Sequence, residues 1–596
     1  MMRESIITLL SDDRLEDIER PFKVVAGPGA GKTHWLIEHI KNILFNSTKL
    51  SGISKISCIT YTTVAAEEIQ YRLKDNLDKV DVCTIHSFLY SNIVKPYVHL
   101  LEDGTGKRLV NIDNMDGHIE NLATNGKIYQ WQRKVNNAGF IRDKKKIKKC
   151  LENIDWFLED GSFILKPRKD YLRRIGRYSI RLEDLPIYKQ IFWDEGIIHH
   201  EDVLYFSYKI LEKFPIILDH ISAKYPYMFL DEFQDTSPIQ SELIQWLGNS
   251  GTIVGVIGDP AQSIYSFQGA SRSDFINYCL PNLKVYQIEN NRRSGKGIVN
   301  VLNYLRQGDS ITQLPTHNQS SNPIYYFECE SEITQTISEF HNLRRELGLK
   351  NDYCILTRNN ESVRKLRNTE VTDVWTSLSE TDSDRERLLK SLITAYLLVA
   401  DGRNELAIKE IIRCLRTDKD NMLKSPFQVN QFIDPLTQRS IAVDVLEFLI
   451  KEINESNSKT LLVFYQILYE FLKEKGYNLK KITRGNIKTL SEQITLEELI
   501  NNLTLPEEKH SDIRTIHKAK GAEFESVLVY LNGDEEIENI IHPDINSEND
   551  DTRIYYVAMS RAKDLLCLAG PPLTKVNKEK CEELKIIVEP AEVVLY

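Results

Sequence analysis

Short apolar runs alternate with longer amphipathic stretches along this chain. The runs at 22–25, 227–230, 252–257 and 527–530 predict buried strands, because several consecutive apolar residues suit a strand that is covered on both faces. Residues 35–44, which follow the first run, have the apolar spacing of a helix. This alternation predicts an α/β fold in which helices connect the strands of parallel sheets.

Length and composition are those of a globular protein with several domains. The chain has 596 residues, of which 41% are hydrophobic and 27% charged, and this length suits about three or four domains. No apolar stretch approaches the ~18 residues of a membrane span, and the N-terminus lacks a signal-peptide pattern. The nine cysteines include no C-x-x-C pair, which argues against structural zinc, an iron–sulfur cluster or a disulfide framework. We therefore expect a cytoplasmic protein without a membrane partner.

A glycine-rich segment, AGPGAGKT, joins the first predicted strand to the first predicted helix. Such a segment can curl so that its backbone N–H groups point at phosphate oxygens, and the helix N-terminus adds the positive end of its dipole. The alternative is a glycine-rich turn that binds nothing. The predicted phosphate-binding residues are Ala26, Gly27, Pro28, Gly29, Ala30, Gly31, Lys32 and Thr33.

Three of these positions need comment. Lys32 is expected to reach the β- and γ-phosphates, and the Thr33 hydroxyl to ligate Mg²⁺. Ala26 stands where the strict pattern has glycine. It needs no left-handed backbone if it still belongs to the preceding strand.

Two adjacent acids, Asp231 and Glu232, directly follow the apolar run 227–230. Such a pair is unfavourable at the end of a buried strand unless it serves a metal or a reaction. We expect Asp231 to hold Mg²⁺ and Glu232 to orient and deprotonate an attacking water. The alternative, a solvated acidic turn, explains Asp235 but not the pair. Together with the glycine-rich segment, the pair predicts hydrolysis of a nucleoside triphosphate.

The segment DEFQDT, which contains the acid pair, resembles the second motif of the UvrD/Rep/PcrA helicases of superfamily 1A. Other segments resemble motifs of the same family in the same order. They are CITYTTVAAEEIQYRL (58–73, motif Ia), TIHSF (84–88, Ib), IGDPAQSIYSFQGA (257–270, III), IENNRRS (288–294, IV), RTIHKAKGAEF (514–524, V) and YYVAMSRAK (555–563, VI). An ordered set of motifs is more specific than any one of them.

The resemblance implies further residues around the nucleotide. Gln262 would sense the γ-phosphate, although an ordinary loop amide is the alternative, and Glu523 would bind the ribose. Two arginines would reach the γ-phosphate from the second motor domain, where such a residue contributes about 10³–10⁵ in rate. The implied catalytic residues are Lys32, Asp231, Glu232, Gln262, Arg293 and Arg561.

The resemblance also implies contacts with single-stranded DNA. Small hydroxyls of motif Ia would hold phosphates without reading sequence, and Phe267 would stack on bases. The alternatives are a core aromatic at Phe267 and an ordinary surface or packed histidine at His517. The residues implied to contact DNA are Thr60, Tyr61, Thr62, His86, Phe267, Thr515 and His517.

Two positions depart from the family pattern. The family carries an N-terminal glutamine and a motif IV aromatic that contact adenine, whereas this chain has Arg14 near the first slot and Arg292 in the second. A guanidinium can also stack on a base, so Arg292 is included in the predicted nucleotide-binding set. We expect base selectivity to be relaxed.

The interruptions between motifs predict the domain layout, which resembles two RecA-like P-loop domains with parallel sheets, each carrying a mainly helical insertion. The predicted boundaries are 1–88 and 227–290 for domain 1A, 89–226 for insertion 1B, 291–384 and 509–596 for domain 2A, and 385–508 for insertion 2B. Apolar stripes at 388–400 and 461–472 have helical spacing and predict core packing. About thirty residues follow motif VI, which is too few for an appended nuclease.

The formal net charge of −10 is unusual for a DNA-binding protein. A local basic surface can nevertheless bind phosphates on an acidic protein, while solvated helix faces explain the same residues equally well. The basic residues concentrated in insertion 1B are Lys144, Lys145, Lys146, Lys148, Lys149, Arg173, Arg174 and Arg177.

The family resemblance implies a motor that uses ATP and Mg²⁺, moves 3′→5′ on single-stranded or 3′-tailed DNA and unwinds duplexes. A second hypothesis is a DNA-stimulated sensor subunit that recruits a nuclease. Gabija defence helicases work beside an OLD-like nuclease, and VAMSRAKD (557–564) is similar to that type, which would place the protein in antiviral defence. An inactive, degenerate P-loop protein is the third hypothesis.

Overall fold

The computed structural model describes residues 6–115, 117–135, 141–159, 161–309, 311–316, 322–329, 333–349, 352–366, 374–400, 402–415, 417, 422–428, 431–455, 458–503 and 512–590. The chain divides into two compact units. Unit 1 comprises Met1–Ser331, Glu339–Asp352 and Lys520–Tyr596, and unit 2 comprises Glu332–Ser338 and Tyr353–Ala519. The four-part division into 1A, 1B, 2A and 2B stays a prediction.

Strands and helices alternate through much of the described chain. The strands are β1 Ile7–Leu9, β2 Phe22–Ala26, β3 Ile56–Thr60, β4 Val80–Thr84, β5 Ile154–Glu159, β6 Ser162–Pro167, β7 Arg174–Ile175, β8 Tyr178–Ser179, β9 Tyr227–Leu230, β10 Ile253–Gly258, β11 Lys284–Ile288, β12 Asn290–Asn291, β13 Leu314–Pro315, β14 Ile324–Glu328, β15 Tyr353–Thr357, β16 Ile513–Thr515, β17 Phe524–Tyr530, β18 Ala562–Gly570 and β19 Ile586–Pro590. The helices are α1 Lys32–Asn46, α2 Thr63–Leu73, α3 Ile85–Leu89, α4 Lys95–Tyr97, α5 Asn125–Lys134, α6 Lys144–Leu151, α7 Leu185–Trp193, α8 His200–Lys213, α9 Ile216–Lys224, α10 Pro238–Asn249, α11 Arg272–Asn277, α12 Lys296–Leu305, α13 Ile333–Glu346, α14 Asn360–Leu366, α15 Val374–Thr381, α16 Ser383–Ala400, α17 Asn404–Cys414, α18 Pro435–Glu455, α19 Leu461–Glu474, α20 Asn486–Gln493, α21 Leu496–Asn501, α22 Ile516–Ala519, α23 Asp534–Ile541, α24 Asp551–Met559 and α25 Lys575–Glu583.

Unit 1 contains a seven-stranded parallel sheet with the strand order β1-β11-β2-β10-β9-β3-β4. Its three central strands, β2, β10 and β9, correspond to apolar runs that predicted buried strands. Val256 of β10 pairs with Leu230 of β9, and Gly258 of β10 pairs with Val25 of β2. The carboxyl ends of these strands therefore meet at one edge of the sheet, where ligands bind in open α/β sheets.

Apolar side chains cover both faces of this sheet. On one face, Val24 and Phe229 pack in a core with Trp35 of α1. On the other face, Val256 belongs to a core that also includes Trp131 from the 89–226 region. Burial on both faces explains why these strands are mainly apolar rather than alternating, with Lys23 of β2 as a charged exception.

The 89–226 region contains two antiparallel hairpins, β5–β6 and β7–β8, among its helices. The sequence predicted a helix-leaning region and did not predict the hairpins. Ile154 and Trp156 of β5 are buried, whereas Asp155 and Phe157 between and after them are partly exposed. This alternation with period two is the strand signal that the aromatic, charged composition obscured.

Four strands of a second parallel sheet lie in unit 1, in the order β17-β18-β14-β19. In unit 2, β15 and β16 pair in parallel, and most other described residues are helical. The predicted α/β fold with two RecA-like parallel sheets is confirmed. Leu392 of α16 and Leu468 of α19 belong to the helical core of unit 2, so the predicted packing role of the two apolar stripes is confirmed as well. Among the described residues, no helix is long and apolar enough to cross a membrane.

Candidate active site

The glycine-rich loop lies between the end of β2 and the start of α1. Gly29 and Gly31 have φ of 71° and 83°, a left-handed backbone that side-chain-bearing residues rarely adopt. Ala26 is the last residue of β2 and pairs with Ile288 of β11, so the missing glycine at this position has no steric consequence. The loop therefore has the strand-to-helix geometry of a phosphate-binding turn.

Segments distant in sequence pack tightly against this loop. A Cβ on Gly27 would lie 1.8 Å from Gln313 Nε2, whose amide donates to the carbonyl of Pro28 at 3.3 Å. A Cβ on Gly29 would lie 2.6 Å from the Cβ of Arg293. Neighbouring side chains thus leave no room for a Cβ at Gly27 or Gly29, and Gly29 has a left-handed backbone as well.

The acid pair lies beside the first residues of α1. Thr33 Oγ1 donates to Asp231 Oδ2 at 3.5 Å, and Lys32 Nζ is 3.9 Å from Glu232 Oε1. A hydroxyl next to a carboxylate is the oxygen donor set that suits Mg²⁺, which is usually held by one or two protein oxygens together with substrate phosphates. The residues present therefore fit a magnesium–nucleotide complex.

The surroundings shift the pKa of the two carboxyl groups in opposite directions. Burial raises the pKa of the Asp231 carboxyl above its usual range, and the adjacent Glu232 raises it further. Burial also opposes ionisation of Glu232, but the positive charges of Lys32 and Lys520 outweigh it and hold the pKa of this carboxyl below its usual range. Glu232 therefore ionises more readily than Asp231.

The backbone and side chain of Glu232 are both constrained. Its φ of 55° and ψ of 40° are left-handed, which is uncommon for a residue other than glycine. Gln234, which is fully buried, donates to Glu232 Oε2 at 2.5 Å and accepts from the backbone N–H of Asp259 at 3.0 Å. Gln234 thus orients the carboxylate. The sequence had assigned it no role.

Gln262 connects motif III with motif VI. Its amide donates to Asp259 Oδ2 at 2.9 Å, and its side-chain oxygen accepts from Arg561 Nη2 at 3.0 Å. Arg561 also donates to the carbonyl oxygens of Val557 and Ala522, which are neutral. Burial lowers the pKa of this guanidinium, because its positive charge is far from water. An anion at this place would stabilise it.

Arg293, the other implied arginine, is held by Glu523. Its Nε donates to Glu523 Oε2 at 2.7 Å, while Lys563 lies 3.0 Å from the second oxygen of the same carboxylate. Arg293 also donates to the carbonyl of Ser560 at 3.1 Å, next to Arg561. The structure thus brings both arginines together, and Glu523 binds two cations in the place where the resemblance implied a ribose contact.

Lys520 is a site residue that sequence reasoning noted without a role. Its ammonium donates to Asp235 Oδ2 at 2.5 Å and to the carbonyl of Gln262 at 2.7 Å. It also lies 4.8 Å from the centroid of the Tyr265 ring. The available signal was its place in the segment that resembles motif V.

Three aromatic side chains form a row beside this lysine. The rings of Tyr61 and Tyr265 stack with centroids 5.0 Å apart, and the Phe267 ring lies 6.0 Å from that of Tyr265. Phe267 is 54% exposed, so it is a surface aromatic and not a core residue. Next to the row, Thr60 Oγ1 donates to the carbonyl of Thr62 at 2.8 Å. Four of the residues implied to contact DNA therefore lie together.

Three further residues were implied to contact DNA, namely His86, Thr515 and His517. The ring of His86 in α3 is 6.3 Å from that of His118 and 6.2 Å from that of His200. Burial, reinforced by these two rings, lowers the pKa of His86 to about 4, so it is neutral at physiological pH. Thr515 and His517 belong to unit 2, at the end of β16 and in α22. Their roles stay predictions.

The two arginines that depart from the family pattern have different surroundings. Arg292 Nη2 donates to Asp12 Oδ2 at 2.7 Å, and the other oxygen of this carboxylate lies 3.2 Å from His34 Nε2. The backbone N–H of Arg292 donates to the carbonyl of Gly29 at 2.8 Å, which places the residue beside the glycine-rich loop. Arg14 is exposed.

The lysines of the run 144–149 lie around the solvent-exposed side of α6. Ile147, Cys150 and Leu151 are buried against the 89–226 core. The exposed side of the same helix carries Lys144 and Lys149. This orientation leaves a concentrated positive charge on the surface of a protein with a net charge of −10.

Comparison with known proteins identifies the family. Residues 11–278 match the UvrD/REP helicase N-terminal domain, and residues 376–570 match the UvrD-like helicase C-terminal domain. The chain is 26% identical to a probable DNA helicase II homolog of Mycoplasma pneumoniae, over 91% of this chain and 81% of that protein. It is 24% identical to the ATP-dependent DNA helicase PcrA of Staphylococcus aureus, over 93% of this chain and 82% of that protein. With the ATP-dependent DNA helicase Rep of Buchnera aphidicola the identity is 26%, over 92% and 91% of the two chains. The chain therefore belongs to the UvrD/Rep-like helicases of superfamily 1A.

Proposed function

We propose that this protein is a DNA helicase that couples Mg²⁺-dependent ATP hydrolysis to 3′→5′ movement along single-stranded DNA and to duplex unwinding. The arrangement of Arg561 carries the proposal. Its buried positive charge has neutral hydrogen-bond partners, one of which is Gln262, in a site that also contains the acid pair. A γ-phosphate is the anion that such a charge would stabilise.

Each residue of the site has a chemical role in this proposal. Lys32 and the loop N–H groups bind phosphate oxygens, and Thr33 with Asp231 would hold Mg²⁺, which neutralises phosphate charge when bound. Glu232, oriented by Gln234, positions the attacking water and accepts its proton. Arg561 and Arg293 stabilise the charge that develops on the transferring phosphoryl group.

The contacts of Lys520 support coupling between hydrolysis and DNA. This ammonium joins the carbonyl of Gln262, in the nucleotide site, to the ring of Tyr265, in the aromatic row. A base that stacks on Tyr61 or Phe267 would therefore act on the aromatic row, and Lys520 alone separates this row from Gln262, the γ-phosphate contact. The direction of movement rests on the family resemblance.

Relaxed base selectivity is a further part of the proposal. Asp12 binds the edge of the Arg292 guanidinium, which leaves the flat faces of that group able to stack on a purine of either kind. We expect ATP and GTP to be hydrolysed at comparable rates. Strict use of ATP would contradict this part and leave the motor function untouched.

Strand separation on tailed duplexes tests the function. With Mg²⁺ and ATP, we expect the protein to open a duplex that has a 3′ single-stranded tail and to leave a 5′-tailed duplex closed. Glu232→Gln is expected to keep nucleotide and DNA binding but to lose about 10²–10⁴-fold in turnover, since the water loses its base. Opening of the 5′-tailed duplex alone would show the opposite polarity, 5′→3′, and would contradict the proposed direction of movement. Stimulated hydrolysis without opening of either duplex would reduce the motor to a translocase.

A sensor subunit that hands DNA to an OLD-like nuclease in antiviral defence remains the alternative. Co-purification with such a nuclease, together with DNA-stimulated hydrolysis that opens no duplex, would favour it over the helicase. A cytoplasmic location likewise stays a prediction.

A further inference from the structure

Residues at the N-terminal end of helix α24 form hydrogen bonds with the motif III loop. Arg553 Nε donates to the carbonyl of Ser263 at 2.8 Å. Asp550, the residue before α24, accepts two hydrogen bonds from Ser266 at the same oxygen, from the backbone N–H at 3.1 Å and from the hydroxyl at 2.5 Å. Both ends of the short segment 263–266 are therefore tied to one helix.

The opposite end of α24 reaches the nucleotide site. Arg561 follows the helix by two residues and donates to Gln262 Oε1 at 3.0 Å. Near the middle of the helix, the Tyr556 hydroxyl accepts from Arg306, which also donates to Asp259 Oδ1 at 3.2 Å. Asp259 in turn accepts from Gln262. Helix α24, which is about 13 Å long, thus connects two places. Its C-terminal end lies at Arg561 and Gln262, the residues proposed to contact the γ-phosphate, and its N-terminal end holds the motif III turn.

The packing of α24 makes it suited to act as a rigid link. Every residue from Thr552 to Met559 is buried. Asp550 and Arg553 form an ion pair at 2.6 Å, with side chains 8% and 3% exposed. A helix enclosed on all sides has little room to bend, so a displacement at one end is passed to the other.

The hydrogen bonds of the Asp550 carboxylate show that this residue does more than cap its own helix. Asp550 stands at the N-cap of α24, where an aspartate ordinarily accepts from the N–H groups of its own helix. Its side chain makes no such bond here. Its oxygens instead bind Ser266 and Arg553, so the residue orients the loop and not its own helix terminus.

The turn that Asp550 holds presents Phe267. Ser266 opens the 3₁₀ turn Ser266–Gln268, and Gly269 closes it with a left-handed φ of 88°. The direction of the exposed Phe267 ring follows from where this turn begins. A hydrogen bond to the first N–H of the turn therefore sets the angle at which the ring meets a base.

We propose that Asp550 is a positioning residue that fixes the Phe267 turn for DNA, and that α24 links this turn to Arg561. The proposal rests on the proposed DNA-stimulated hydrolysis. It adds a physical connection between the two ligands that is separate from Lys520. Asp550 touches neither ligand and acts through Ser266.

The test compares DNA stimulation in Asp550→Asn and Glu548→Gln. The first change replaces one accepting oxygen by an NH₂ group, so the bonds to Ser266 and Arg553 can no longer both be made. The second removes the same charge from an exposed neighbour in the same loop. We expect Asp550→Asn to need about fivefold or more single-stranded DNA for half-maximal stimulation, since one stacked base is worth at least that factor. Glu548→Gln is expected to behave as the wild type.

Two further measurements separate positioning from loss of structure. The fluorescence of 2-aminopurine in a bound oligonucleotide reports stacking directly, and we expect weaker quenching with Asp550→Asn. Ser266→Ala removes the hydroxyl donor alone, and it is expected to shift the DNA requirement in the same direction. In the double variant the two effects should not add, because both changes break one contact.

Each outcome decides the proposal. A folded Asp550→Asn protein with wild-type DNA requirement and wild-type quenching would overturn it. If that variant does not fold, Ser266→Ala decides in its place, and an unchanged DNA requirement there would overturn it equally. A wild-type protein whose hydrolysis ignores DNA would overturn the proposed function itself, a result recognisable before any variant is made.

Discussion

Gly258→Ala is expected to slow hydrolysis without touching the nucleotide. A Cβ at this position would lie 2.3 Å from Gln234 Oε1 and 3.4 Å from the backbone nitrogens of Gln234 and Phe233. Carbon atoms in favourable contact are about 3.5–4.0 Å apart, so the Gln234 side chain has to retreat by roughly 1 Å. Since Gln234 is fully buried, it retreats within the interior.

The magnitude follows from the two hydrogen bonds of Gln234. Loss of the bond from the Asp259 N–H leaves a buried donor without a partner, which costs about 1–3 kcal/mol of the free energy of unfolding. Loss of the bond to Glu232 releases the carboxylate that positions water. Misplacing a reacting group by about 1 Å can cost about 100-fold in rate, so we expect kcat to fall about 10- to 100-fold.

The assay is steady-state ATP hydrolysis at saturating single-stranded DNA. Gly126→Ala serves as the matched control, because the nearest atom to its Cβ is 3.9 Å away, and it is expected to keep the wild-type rate. The KM for ATP is expected to change little in Gly258→Ala, since Lys32 and the glycine-rich loop are not displaced. Adding Gly258→Ala to a Gln234→Ala protein shows whether the loss of kcat arises from displacement of Gln234. An equal loss on adding Gly258→Ala to that background would refute the reasoning, because the methyl group would then act without Gln234.

Three other perturbations test separate parts of the molecule. Lys520→Met leaves Asp235 buried without its ammonium, and we expect the free energy of unfolding to fall by about 3–5 kcal/mol in a denaturant titration; recovery in Lys520→Met/Asp235→Leu would tie the loss to the unpaired charge. Arg292→Ala removes the guanidinium beside the glycine-rich loop, so KM for ATP and for GTP are both expected to rise, about 5-fold or more if one stacking contact is lost; unchanged values would exclude Arg292 from the base site. Lys144→Ala/Lys149→Ala is expected to weaken DNA binding and to lower the slope of log K against log salt concentration by about one for each lysine that contacts phosphate. An unchanged slope would identify the α6 lysines as a solvated face.

Local features of the site could be predicted from the sequence. The turn from β2 to α1 needs only a strand, a few glycines and a helix in succession, and the structure has them in that order. Ala26 illustrates this well, because its place at the end of β2 followed from the apolar run before it. The neighbouring position of β9 and β10 was likewise accessible from the rules of parallel sheets.

Contacts between distant segments could not be predicted in the same way. Lys520 binds Asp235 from a position 285 residues away, and Asp550 binds Ser266 across 284 residues. Nothing in the local spacing of these residues indicates their partners, because the pairing depends on how whole segments pack. Glu523 is a further example. The family resemblance implied that it binds the ribose, and it did not predict the ion pair with Arg293.

The backbone of Glu232 has a consequence for how this protein could change over time. A left-handed conformation at a glutamate costs about 1–3 kcal/mol, and a glycine at this position would avoid that cost. A protein selected for stability alone would drift towards glycine here and lose the carboxylate that the reaction needs. At position 232, stability therefore favours glycine whereas catalysis requires glutamate. The buried sheet around this position contributes the free energy of folding that offsets the cost of the glutamate.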